Sequence, residues 1–255
     1  IMITIISASK SSDFKNQNIT KLFTIPFFKD EREKILEILL NYSNDDLKQL
    51  MGISDSLAIS NYEKLVELKY FPKRVKQKQA ILAYSGDVYK CLNPSDFITE
   101  DFEYAQKNLR ILSALYGILR PLDLIGPYQL EMKIKIKPDG FENLYKFWTD
   151  KITEEINKDN KSGILLNLSS EEYFKVINKE KLNSKVIQPI FYDILDGKRK
   201  IIPIHAKKSR GCMAREIIKN KIEDPAELKK LNINGFKYSE EDSNEEIYVF
   251  FRKQK

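Results

Sequence analysis

Short β-branched runs alternate along this chain with segments of helical period, and that alternation limits the fold more than any other feature. Met2 to Ile6 (MITII) and Ile164 to Leu168 read as buried strands, and Val186 to Leu195 and Ile247 to Arg252 as further ones. Ala80 to Tyr84 and Lys200 to His205 are also expected as strands, the latter joined to Val186–Leu195 by the hairpin signal Asp196-Gly197. Between them, Asp30–Asn41 sets Ile35, Leu36, Leu39 and Leu40 on one helical side. Thr99 followed by Phe102, Ala105, Leu109, Leu112 and Tyr116 predicts one long core-facing helix, stopped by Gly117 and kept from resuming by Pro121. Glu142–Asn157, Glu171–Ile177 and Arg210–Ile222 add three more helices. No fixed period and no Gly/Pro/Ser-rich linker interrupts this order. The expected fold is α+β (mixed α/β): one domain over 2–255, with a mixed β-sheet, surrounding helices and a helical insertion at about 29–79.

Within that insertion, Leu47–Tyr62 (LKQLMGISDSLAISNY) reads as two short helices joined by a tight hairpin at Met51-Gly52-Ile53-Ser54. Gly52 supplies the positive φ that a sharp reversal needs, Ser54 or Asp55 can cap the second helix, and Ala58 lets the two approach. This is the outline of a helix-hairpin-helix, which turns hairpin N–H groups towards a nucleic-acid phosphate. An ordinary turn between amphipathic helices has the same outline, and Ser54 stands where a second glycine is usual.

The chain has 255 residues, 42% hydrophobic and 31% charged, with a net charge of +6. It is long enough to bury a full core, and no apolar run approaches the roughly 18–20 residues of a membrane span. Neither a leader pattern nor paired cysteines is evident, so the expectation is a cytoplasmic protein whose Cys91 and Cys212 are free thiols. With His205 the only histidine and no CxxC or HExxH motif, no metal site is expected. No cofactor is expected either, since GxGxxG and phosphate-loop motifs are absent. Positive charge is clustered: Lys69, Lys73, Arg74, Lys76 and Lys78 in one segment, and a denser run from Lys198 to Lys221. Clustering of this kind, beside the hairpin, favours a nucleic-acid partner over a merely solvated face.

Two further groups bear on chemistry. His205–Arg215 (HAKKSRGCMAR) is expected to leave a strand and enter a helix, with Gly211 near the helix start permitting close approach of an anion. His205 itself is expected on the strand as a packed or surface residue. Arg120, Asp123, Tyr128 and Glu131 follow the long helix. Arg120 with Asp123 is either a structural pair or, with Glu131, an acid–base and phosphate-binding set.

Several of these pieces carry a resemblance over nearly the whole chain. Ser7–Phe14, LMGISDSLA (Leu50–Ala58), GDVY (Gly86–Tyr89), Leu109–Met132, Phe147-Trp148, NLSSEEYF (Asn167–Phe174) and AKKSRGCMAR (Ala206–Arg215) are similar, in order, to the YaaA family of bacterial peroxide-stress proteins. The resemblance implies protection against hydrogen peroxide, a link to lowering free iron, and a helix-hairpin-helix with a basic cleft suited to DNA. Two positions depart from the family pattern: Ser56 and Gln129 stand where basic residues are common, so the expectation is either weaker DNA binding than is typical or binding carried more by Lys207, Lys208, Arg210 and Arg215.

The favoured reading is a DNA-binding stress protein that holds duplex or branched DNA by its backbone, without sequence preference. Gly52, Ile53 and Ser54 would form its hairpin contact, and Lys207, Lys208, Arg210 and Arg215 its electrostatic groove. The alternative is an enzyme acting on a nucleotide or base in a pocket gathered from Lys10, Asp87, Arg120, Asp123, Glu131 and Lys207. The scarcity of soft ligands argues against iron chelation by the chain itself. The oligomeric state is not legible.

Overall fold

The computed structural model describes residues 2–15 and 19–253. In chain order they form β1 (Ile3–Ser7), α1 (Lys29–Leu40), α2 (Asn44–Met51), α3 (Asp55–Tyr70), β2 (Lys78–Gln79), α4 (Ala80–Ala83) and α5 (Asp87–Leu92). Next come α6 (Thr99–Asn108), β3 (Leu109–Ser113), β4 (Gly117–Leu119), β5 (Leu124–Ile125), α7 (Leu144–Asp159), β6 (Ile164–Asn167) and α8 (Glu171–Phe174). The last part holds β7 (Lys185–Leu195), β8 (Lys198–Lys200), α9 (Pro203–Lys219), α10 (Pro225–Leu228), β9 (Asn232–Ile233), β10 (Phe236–Tyr238) and β11 (Ile247–Lys253). The architecture is mixed α/β.

A nine-stranded sheet runs in the order β4-β3-β1-β6-β7-β11-β10-β9, with β8 paired to β7. Its centre is parallel (β3, β1, β6, β7 and β11) and its margins are antiparallel. Ile3, Ile5 and Ile6 of β1 and every residue of β3 are buried, as parallel strands covered on both faces require. β7 instead alternates buried and half-buried positions, the period of a strand with one wetter face. Asp196 and Gly197, at φ 50° and 74°, turn β7 into β8. That is the hairpin which positive φ at two successive residues produces.

The helical expectations at α1, α3 and α7 are met, and Gly52 adopts φ 61° between α2 and α3. Other expectations are corrected. Thr99–Tyr116 is not one helix: α6 ends at Asn108, and Leu109–Ser113 is a strand between β1 and β4. A strand buried on both faces is apolar nearly throughout, so it satisfies a helical spacing by accident. Gly117 is a turn residue at φ 71° entering β4, and Trp148 lies where its side chain would be. Ala80–Ala83 forms a helical turn instead of a strand, Lys78–Gln79 being the paired segment. Strand β8 stops at Lys200, and Pro203 opens α9, a position where its missing N–H costs nothing. His205 therefore sits in the first turn of a helix, hydrogen-bonded to the buried Asp193 at 2.8 Å.

Candidate functional site

A cavity of about 500 Å³ opens at the carboxyl ends of β1 and β6. From β1 the parallel path continues to β3 on one side, and from β6 to β7 on the other. Loops leaving adjacent strands in opposite directions leave a crevice, the usual place for a ligand on an open α/β sheet. The polar run Ser7-Ala8-Ser9-Lys10-Ser11 lines one part of it, and Ser170, Glu172 and Tyr173 another. Asp87, Val88 and Tyr89 come from α5, Lys207 and Arg210 from α9, and Glu131 and Lys133 from a turn between β5 and α7.

Local hydrogen bonds set each of these pieces. The Ser170 amide donates to Ser7 Oγ at 2.9 Å and joins the two strand ends, while Tyr89 OH donates to the Ser7 carbonyl at 3.0 Å. Ser11 Oγ donates to the Ser85 carbonyl at 2.8 Å and fastens the first loop to the residues before α5. Glu131 is positioned from behind. Asn61 of α3 donates to the Gln129 carbonyl at 3.0 Å and accepts the Gln129 amide at 2.8 Å. Buried Tyr128 is hydrogen-bonded to Tyr84 at 2.6 Å and to Ser113 at 2.7 Å. Burial pushes the pKa of Tyr84, Tyr89, Tyr128 and Tyr173 well above the ordinary phenol value, so these phenols stay neutral, Tyr89 and Tyr173 lining the cavity and Tyr84 and Tyr128 lying behind it.

The charges in the cavity are unevenly satisfied. Glu131 is nearly buried and accepts Lys10 at 2.8 Å and Lys133 at 3.4 Å. Glu172 accepts the Lys133 amide at 3.3 Å. The side chains of Asp87 and Arg210 both face the cavity, yet neither makes a hydrogen bond or ion pair with any described residue. Burial pulls the Arg210 guanidinium below its ordinary value, though an arginine stays charged at neutral pH.

Of the residues expected in a pocket, Lys10, Asp87, Glu131 and Lys207 come together here, with Arg210. Arg120 and Asp123 do not. They lie at a separate cavity beside Arg110 and Asp159. There the buried Asp123 carboxylate accepts Thr24 Oγ1 at 2.6 Å and the Arg120 amide at 2.8 Å, fastening a loop. Arg215 is engaged too, with bonds of 2.8 and 2.7 Å to Asp96 and further bonds to the Leu92 and Asn93 carbonyls. It ties the end of α5 to α9 and is not a free cation for a groove. Lys207 and Lys208 are exposed on α9. Gly52 and Ser54 are exposed at the turn, where Ser54 Oγ caps α3 and Lys48 bridges to Asp55 at 2.7 Å.

Gly211 is not an anion-binding turn but lies inside α9, against the Val88 carbonyl of α5. The same packing sets Cys91 beside Cys212, although sequence alone leaves them far apart. Burial, with Cys91 next to it, pushes the Cys212 thiol up to about 12, so it is unreactive as a nucleophile at neutral pH. Ser170, Glu172, Tyr173 and Lys133 are lining residues that sequence reasoning missed. The available signal was the polar Ser-Ser-Glu-Glu following a buried strand. Among the described residues, no three of His, Cys, Asp and Glu gather where they could share a cation.

The chain matches the family model for "Peroxide stress protein YaaA" over residues 2–242. The chain belongs to this peroxide-stress family. Relatives agree along their full length. A "UPF0246 protein" of Teredinibacter turnerae is 41% identical over 99% of this chain and 100% of its own. One from Crocosphaera subtropica is 42% identical over 98% and 100%, and one from Colwellia psychrerythraea 40% identical over 99% and 100%. No helix among the described residues is long and apolar enough to cross a membrane.

Proposed function

We propose that this peroxide-stress protein acts in the cytoplasm by binding DNA through its backbone, without sequence preference, across the mouth of the cavity. Arg210 carries the reading. A guanidinium held largely out of water with no partner among the described residues is costly, and a phosphate oxygen offsets that cost with charge-assisted hydrogen bonds. Lys207 stands one helical turn before it, and Lys208 is exposed beside them. The turn at Gly52–Ser54 supplies a second contact, and Asn61 links its helix to the segment carrying Glu131. Protection then acts on the DNA that peroxide and iron damage, rather than through iron held by the protein.

A salt-titrated assay with duplex, single-stranded and junction DNA tests this. With roughly four phosphate contacts, the log–log slope of affinity against salt is about −3 to −4 on duplex DNA. Replacing Lys207 and Lys208 by Gln reduces that slope by about 2 and weakens all sequences alike. Affinity that stays flat from low to moderate salt overturns the reading.

One observation favours a second reading, an enzyme acting on a nucleotide or base. Lys10, Asp87, Glu131 and Lys207 meet in one cavity although far apart in sequence. Release of a base or phosphate from DNA, lost in Glu131→Gln, distinguishes it from binding alone.

A further inference from the structure

The cavity contains groups that a run of phosphates does not explain. Three carboxylates (Asp87, Glu131 and Glu172) line it together with Lys10, Lys133, Lys207 and Arg210, and the two lysines Lys10 and Lys133 are taken up by Glu131. A sugar-phosphate backbone threaded through it is repelled by Asp87 and Glu172, which no cation among the described residues pairs with, and an apolar ligand leaves the charges desolvated. A duplex is too wide to enter a space of about 500 Å³, which lies in the usual range for one small molecule. The ligand that matches is compact and bipolar, anionic at one end and rich in N–H donors at the other. The lining also includes Val88, Tyr89, Leu168 and Tyr173, apolar and aromatic groups against which a ring can pack.

We infer that the cavity accommodates one unpaired nucleotide, its phosphate on Arg210 and Lys207 and the donor edge of its base on Asp87. This rests on the DNA-binding reading and deepens it: the DNA recognised is DNA with a base out of its stack. Among the described residues neither Asp87 nor Arg210 has a hydrogen-bond or ion-pair partner, although they face the same cavity on the adjacent helices α5 and α9. Had they been a structural pair, they would have met. Kept apart, they offer an acceptor for base N–H groups and a donor fork for phosphate. Extrusion is cheapest where pairing is already lost, so bulged and mismatched sites are the natural source, and a free mononucleotide offers the same chemistry.

The test uses the full chain. Binding is measured for the four nucleoside 5′-monophosphates, their nucleosides and inorganic phosphate, and for duplexes carrying 2-aminopurine either matched or bulged. At least one nucleotide binds about ten-fold or more tightly than both its nucleoside and phosphate, the worth of a charge-assisted contact. Arg210→Ala removes the advantage over the nucleoside, and Arg210→Lys restores part of it. Asp87→Asn weakens the nucleotide without changing phosphate binding. Bulged 2-aminopurine brightens on binding, and the free nucleotide reverses this. Phosphate competing as well as any nucleotide overturns the inference. So does duplex binding that persists while no nucleotide binds and the bulged base stays dim, a result that leaves the DNA reading standing. Nucleotide binding without affinity for any DNA supports the cavity and removes the DNA reading.

Discussion

Gly211 shows how much one missing side chain can decide. A Cβ there would lie 2.0 Å from the Val88 carbonyl oxygen and 2.9 Å from its Cα, so α5 rests directly on the backbone of α9. Val88 is flanked by Asp87 and Tyr89, and Gly211 follows Arg210, so this contact sets the spacing of the two helices that line the cavity. Two effects compete in Gly211→Ala. Helix propensity favours Ala by about 1 kcal/mol. The backbone clash forces the helices apart and costs about 1–3 kcal/mol. The clash involves main-chain atoms that cannot rotate away, so the variant is expected to unfold at lower temperature and to bind nucleotide more weakly. Thermal denaturation gives the sign directly, and a stabilised variant would show that α5 is free to move.

At the scale of elements, legibility followed exposure. Helices with one wet face (α1, α3 and α7) carry a pattern that only a helix satisfies, and the sequence reading placed them. β3 carries none, because Leu109, Ile111 and Leu112 are buried whichever way they point. The helical turn at Ala80–Ala83 is equally ambiguous, being apolar at every position. In the candidate site, Lys10, Asp87, Glu131, Lys207 and Arg210 were found as isolated charges near glycines and strand ends. Their meeting depends on strand order, which no local spacing encodes. Arg120 and Asp123 were legible as a structural pair or as part of a chemical set, and the structure pairs them at 3.3 Å while Asp123 fastens a loop. The turn at Gly52 has a clear geometry and only a proposed function. Gly52 has φ 61° and no atom within 4 Å of where its Cβ would be, so space is not what selects glycine there. Gly52→Val is then expected to cost about 1–2 kcal/mol from the strained φ, visible as a lower urea midpoint. At temperatures where it remains folded, the proposed DNA contact requires affinity to fall as well, because a branched side chain would stand between the turn's amides and a phosphate. Parental affinity in the folded variant would make this an ordinary turn.

For the whole molecule, what matters is what keeps α9 in register, since it presents Lys207 and Arg210 to the cavity while its other end packs near α6. Its carboxyl-terminal half is held by acids from the segment around α6. Asp96 receives Arg215 at 2.7 Å, and the buried Asp101 receives Lys219 at 2.7 Å and Lys221 at 2.6 Å. Burial alone would raise the Asp101 carboxyl. Hydrogen bonds from the two lysines and the Ile98 amide outweigh it and hold the group at about 2, below its ordinary 3.8. A carboxyl depressed on folding stabilises the protein above its unfolded value, and the contribution is lost as pH falls through the folded one. The shift corresponds to about 2 kcal/mol at neutral pH. Asp101→Asn keeps an acceptor for Ile98 and removes the charge, so it isolates the clasp. The unfolding free energy of the variant should lie about 2 kcal/mol below the parent at pH 7. That gap should close between about pH 4 and pH 2 as the parent's carboxylate is protonated. Urea unfolding across that range measures it. A gap of constant size would mean that Asp101 holds α9 by shape and hydrogen bonding and not by charge, and the lysines at its end would then be spectators to the placement of Arg210.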